Sequence, residues 1–150
     1  MIKIYIFADS YKHFEAPIKE YEKRLWKDLK ITKLKPSKKK EDFLVIKEET
    51  DIVLDKLTSE KWYKIVLSPS WKVFSTDQIL SSVKYIKMNH SVASIFIWWA
   101  FGFDYERLKW KIDLELALWT LTMPHSLALL VILEQIYRAG MIEKWTSYHK

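Results

Sequence analysis

The sequence predicts an α/β protein with a mostly parallel sheet flanked by helices. Three observations carry that reading. Short apolar or alternating runs rich in β-formers recur along the chain. Between them lie segments whose apolar residues repeat at helical spacing. The two kinds alternate, which is the pattern of β–α–β units rather than of separate all-α and all-β regions.

Ile2 to Phe7 alternates and is β-rich, so it opens the chain as a strand. Ala16 to Leu29 places Ile18, Tyr21, Leu25 and Leu29 on one helical face with charges between them. Ile31 to Leu34 reads as a short strand ended by Pro36. Glu41 to Leu57 is helical through Leu44, Ile46, Ile52, Val53 and Leu57, and Tyr63 to Leu67 is a buried strand. Thr76 to Met88 is a helix with Asp77 in its first turn, where an acid is favoured. Ala93 to Trp98 is a continuous apolar strand. A short helix over Tyr105 to Lys111 and a short strand over Leu114 to Leu118 follow. The last helix starts at Pro124, whose missing N–H is not needed in a first turn, with Thr122 able to cap the free N–H groups. From Leu127 to Leu133 every residue is apolar, so that helix is buried on several sides, one of them facing a second subunit. Glu134 and Arg138 are spaced for a helical ion pair.

The length of 150 residues suits one domain, and 49% hydrophobic with 29% charged residues is the balance of a soluble globular protein. No charged, apolar leader opens the chain, so no signal peptide is expected. Glu115, Pro124, His125 and Glu134 keep the C-terminal apolar run below the ~20 residues a bilayer span needs, so no membrane is expected. With no cysteine, disulfides and thiolate metal sites are excluded, no metal is expected, and a reducing cytoplasm is the compartment that fits. The formal net charge is +6, and Lys33, Lys35, Lys38, Lys39 and Lys40 concentrate it. Such a run is either a solvated loop or a device for capturing a phosphate backbone.

In parallel sheets ligands sit at the carboxyl ends of strands. That marks three candidate loops, after Leu67, after Ile97 and after Leu118. Their residues are Leu67-Ser68-Pro69-Ser70-Trp71-Lys72, then Trp98-Trp99-Ala100-Phe101-Gly102, then Leu118-Trp119-Thr120-Leu121-Thr122-Met123-Pro124-His125. The chain ends Trp145-Thr146-Ser147-Tyr148-His149-Lys150. Taken together these motifs resemble the RlmH family, small SPOUT-class methyltransferases of ribosomal RNA. The resemblance is strongest after Leu114, moderate from Lys64 to Gly102 and weak before that.

The resemblance implies a SPOUT fold with a C-terminal trefoil knot, S-adenosylmethionine as cofactor, 23S rRNA in the ribosome as partner, and a homodimer. It implies methylation of a pseudouridine at N3. Carried over residue by residue, the cofactor contacts are Leu67, Trp98, Trp99, Gly102, Leu118, Trp119, Thr120, Leu121, Thr122 and Met123. His125 and His149 match the family's candidates for handling the N3 proton, although capping or core packing is the plainer role for His125. Tyr148 and His149 belong to a tail that reaches the partner subunit's site. Leu129 stands where the family usually has an arginine facing substrate or the subunit interface, and Ser68 stands where it usually has an aspartate.

The departures also share a pattern. Family glycine sites at 71, 98–99 and 145 hold tryptophan. The chain has 2 glycines and 8 tryptophans, whereas ordinary usage of ~7% would give roughly ten glycines. One reading is ordinary aromatics in strands and core. The other is a source that reads UGA as glycine, in which case Trp26, Trp62, Trp110 and Trp119 are also glycines in the natural protein. On that reading the indoles of Trp98 and Trp99 occupy the place of the cofactor's adenosyl group. The alternative function is then a SPOUT-fold dimer that grips RNA with weakened or lost cofactor binding. A small-molecule role unrelated to methyl transfer has no P-loop, dinucleotide fingerprint or metalloprotease motif behind it.

Overall fold

The computed structural model describes residues 1–69, 72–97 and 102–143. Its strands are β1 Ile2–Phe7, β2 Leu29–Leu34, β3 Tyr63–Leu67, β4 Ala93–Ile97 and β5 Leu114–Leu116. Its helices are α1 Glu15–Leu25, α2 Asp42–Ser59, α3 Thr76–Asn89, α4 Tyr105–Leu108 and α5 His125–Glu143. The five strands form one sheet in the order β2-β1-β4-β3-β5, and every pairing is parallel. This is the predicted α/β architecture.

Alternation along each strand sorts the core into two layers. Ile2, Ile4 and Ile6 of β1, Ile65 and Leu67 of β3, and Ala93, Ile95 and Ile97 of β4 face one side. There they meet Ile18 of α1, Ile86 of α3 and Leu129, Ile132, Leu133 and Ile136 of α5. Tyr5, Phe7, Val66 and Phe96 face the other side, against Val53 and Leu57 of α2, Phe103 and Leu108. Tyr5 and Phe96 stack with centroids 4.8 Å apart. The near-continuous apolar reading of β3 and β4 is thus explained by helices covering both faces.

Several boundaries moved. The helix expected to run to Leu29 ends at Leu25. The N–H of Asp28 donates to the Leu25 carbonyl at 2.8 Å, and the chain then turns into β2. Leu29 belongs to β2 because the strand pairs with β1 along its full length, from Ile2↔Leu29 to Phe7↔Leu34, and that ladder overrides helical periodicity. The strand expected to reach Leu118 stops at Leu116, because β3 ends opposite it at Leu67. The expected helix Tyr105–Lys111 is one α-turn followed by a 3₁₀ turn over Lys109–Lys111. A 3₁₀ turn at Lys12–Phe14 was not foreseen. Pro124 lies just before α5, and its carbonyl accepts the N–H groups of Leu127 and Ala128 at 2.9 and 3.0 Å. At α3 the start is a capping box, the Ser75 hydroxyl accepting from Gln78 N–H and the Gln78 side chain accepting from Ser75 N–H. Ser-x-x-Gln is a readable start signal that the acidic first turn had overshadowed.

Candidate functional site

All five strands point their carboxyl ends to one edge of the sheet, and the connections there leave in two directions. β1, β3 and β5 lead to helices on one face, while β2 and β4 lead to α2 and α4 on the other. β4 therefore flanks the point where the winding reverses, which is where open parallel sheets hold ligands.

The loops beyond β3 and β5 are sewn together at that edge. Ser68 N–H donates to the Leu116 carbonyl at 3.0 Å. Ala117 N–H donates to the Lys72 carbonyl at 2.9 Å, and Phe74 N–H to the Ala117 carbonyl at 3.0 Å. Val73 and Ala117 form a parallel bridge beyond the ends of both strands. Leu67 is buried in the core, so only its backbone borders the edge. Leu118 is half-buried against the core. After it, Trp119, Thr120, Leu121 and Thr122 are exposed and Met123 is half-buried, which leaves this stretch as an open shelf.

The chain re-enters from beyond β4 at Gly102, whose φ of 82° lies in the left-handed region that favours glycine. Phe103 then locks into the second core layer, its ring 6.1 Å from Phe7. Asp104 N–H donates to the buried Thr50 hydroxyl of α2 at 2.9 Å. Arg107 pairs with Asp51 at 2.7 Å. Gly102 is thus anchored to α2 from its C-terminal side. Trp98, Trp99, Tyr148 and His149 lie outside the described residues.

His125 heads α5 at the same edge and is half-buried. Burial first, and the charge of Lys12 second, hold its pKa below the ordinary imidazole range. The imidazole is therefore biased towards its neutral, proton-accepting form. Lys12 was not singled out from the sequence. It sits at φ 49°, an unusual conformation for a side-chain-bearing residue, in the 3₁₀ turn that follows β1. The neighbouring Tyr11 is buried, and its hydroxyl is pushed up to about 12 by burial, then by Glu22 and Glu15.

The structure bears on two further readings in α5. Leu129 is wholly buried among Ile4, Ile95 and Leu133 of the first core layer, so in this protomer it packs rather than facing solvent or substrate. Glu134 and Arg138 do pair, with the guanidinium donating to one carboxylate oxygen at 2.6 and 2.9 Å. A cavity of about 410 Å³ lies at the opposite edge, bordered by Met1, Asp28, His90 and Gly140. It is at the amino ends of the strands and none of the foreseen site residues lines it.

The model of a family described as "Predicted SPOUT methyltransferase" matches residues 1–149. A Streptococcus suis protein named "Ribosomal RNA large subunit methyltransferase H" is 31% identical over 148 residues, covering 93% of this chain and 92% of its own length. A protein of the same name from Pseudothermotoga lettingae is 32% identical over 154 residues, covering 99% and 98%. Another, from Lactobacillus delbrueckii subsp. bulgaricus, is 33% identical over 148 residues, covering 93% and 92%. No helix among the described residues is long and apolar enough to cross a membrane.

Proposed function

This chain belongs to the SPOUT methyltransferase family, and on that premise we propose that it is an S-adenosylmethionine-dependent methyltransferase of large-subunit ribosomal RNA, acting in the cytoplasm on N3 of a pseudouridine. One observation carries the reading. The whole-length family match coincides with a ligand edge built from the loops foreseen as the site, stitched together at Val73 and Ala117. The open shelf of residues 118–123 and the left-handed backbone at Gly102 suit a ligand held largely by main chain.

In this reading Leu67, Trp98, Trp99, Gly102 and Leu118 to Met123 hold the cofactor. S-adenosylmethionine, when bound, supplies an activated methyl group on a sulfonium. The protein's share is to fix the target nitrogen in line with that methyl and to take its proton. His125, kept neutral by burial and Lys12, is the proton acceptor, directly or through a water. The Tyr148–His149–Lys150 tail reaches the neighbouring subunit's site in a homodimer. The dimer is supported by Leu127, Leu130 and Val131 of α5, apolar residues that are only half-buried in one protomer. The trefoil knot belongs to the same reading and is supported by the seam between residues 72–74 and 117, placed just ahead of α5.

Calorimetric titration of S-adenosylmethionine into the chain as written and into Trp98→Gly/Trp99→Gly tests this. Saturable binding by the chain as written supports the methyltransferase reading with its indoles in place. Binding by the double variant alone supports a methyltransferase whose natural form has glycine there, and UGA codons at both positions are then expected. Failure of both proteins to bind overturns the cofactor assignment and leaves the RNA-gripping dimer.

A further inference from the structure

The lysine run that starts at the end of β2 and continues past it lies on the ligand edge, because β2 is parallel to its neighbours and its carboxyl end points the same way. Lys33, Lys35, Lys38, Lys39 and Lys40 are all exposed. The segment is also held in place. Ser37 N–H donates to Glu49 Oε1 at 2.9 Å, and the Ser37 hydroxyl donates to Glu48. Lys39 N–H donates back to the Ser37 hydroxyl at 3.2 Å. Glu49 is wholly buried, so the fastening reaches into α2 rather than across its surface. A solvated loop needs no such fastening.

The positive strip is continuous with the site. Lys33 Nζ stands 3.9 Å from the ring centroid of buried Tyr11. The next residue in the chain is Lys12, whose charge is felt by His125. β2 lies two strands from β4, ~10 Å at the usual spacing of parallel neighbours. The nearby acids sit at the margins of the strip: Asp9 just beyond β1, Glu41 and Asp42 at the start of α2, and Glu48 and Glu49 bonded to Ser37. Among the described residues none of these five lysines forms an ion pair.

We propose that Lys33, Lys35 and Lys38 to Lys40 form a prefolded rail that grips the phosphodiester backbone of the substrate RNA and delivers a nucleotide past Lys12 to His125. The proposal rests on the ribosomal-RNA reading above and names the surface that reading needs. Phosphate neutralisation releases counterions, so each such contact adds about 0.7 to the slope of log affinity against log salt for single-stranded RNA.

The experiment measures binding of a large-subunit rRNA fragment across a salt series for three proteins. These are the unaltered chain, Lys38→Gln/Lys39→Gln/Lys40→Gln, and a charge-matched control, Lys30→Gln/Lys61→Gln/Lys84→Gln, whose lysines lie away from the ligand edge. Circular dichroism and the melting temperature are followed in all three as a check on folding. The expected result is a slope smaller by about two in the rail variant, with the control slope unchanged and all three proteins equally folded. Equal slopes in the rail variant and the unaltered chain, or equal losses in rail variant and control, overturn the rail while leaving the RNA reading intact. An unaltered chain that is folded but binds no RNA overturns the RNA reading itself, and the rail falls with it.

Discussion

At position 125 a half-buried imidazole heads α5 with the Lys12 charge close by, and both push it towards neutrality. Such a depressed pKa stabilises the fold above the unfolded value of about 6.5, and the contribution is lost as pH falls through the folded value. Lys12→Gln should raise the His125 pKa part of the way back, since burial, the larger cause, remains. Titration of the imidazole by NMR in both proteins measures this, and an unchanged midpoint removes Lys12 from the site's electrostatics. The tryptophans make a second point at this scale. Trp26, Trp62, Trp110 and Trp119 are 69%, 39%, 86% and 58% exposed, all in connecting segments. Tryptophan is ordinarily among the more buried residues, so four indoles outside the core are what glycine positions read as tryptophan would look like. Exposure of this kind is invisible in a sequence, where only the count of tryptophans against glycines hinted at it.

Among the elements, α3 has the best-defined beginning. Loss of the Ser75 hydroxyl leaves the Gln78 N–H without its cap, so Ser75→Ala should lower unfolding free energy by about 1 kcal/mol. Urea denaturation of both proteins checks this, and an equal midpoint means the box contributes nothing. α2 is the element whose role was least legible. Its periodic apolar residues announced a helix, and its burial against β1, β3 and β4 followed from that. Its polar residues told another story only in three dimensions. Glu48 and Glu49 hold the lysine segment, while Thr50 and Asp51 hold the chain beyond Gly102. Spacing alone presents these four as a hydrophilic patch. β3 and β4 were legible because both faces are apolar and β1 because it alternates, and β2 was cut short because Leu29 fits a helical face as well as a strand.

For the molecule as a whole, stability should depend on pH through a carboxyl group sealed inside it. Burial raises the Glu49 pKa against the opposing hydrogen bond from Ser37, with Glu48 adding to the rise. A raised acid contributes stability that is fully present below the unfolded value of about 4.3 and is lost as pH climbs through the folded value. Glu49→Gln keeps an acceptor for Ser37 and removes the titration. The melting temperature of the variant minus that of the unaltered protein should therefore increase from pH 4 to pH 8, and a flat difference shows that Glu49 does not titrate. The parallel sheet was readable from periodicity, and strand polarity then brings the three candidate loops to one edge. The seam between residues 72–74 and 117 was not, since it joins backbone atoms without regard to side chains. That seam has a consequence for biosynthesis. A chain emerging from the ribosome carries the lysine segment, β3 and β4 well before residue 117, yet lacks the shelf proposed to seat the methyl donor. Competence arrives late and all at once, when β5 takes its place at the sheet's margin. On the proposed roles, a truncated or stalled product keeps the surface that grips RNA and has nothing to transfer.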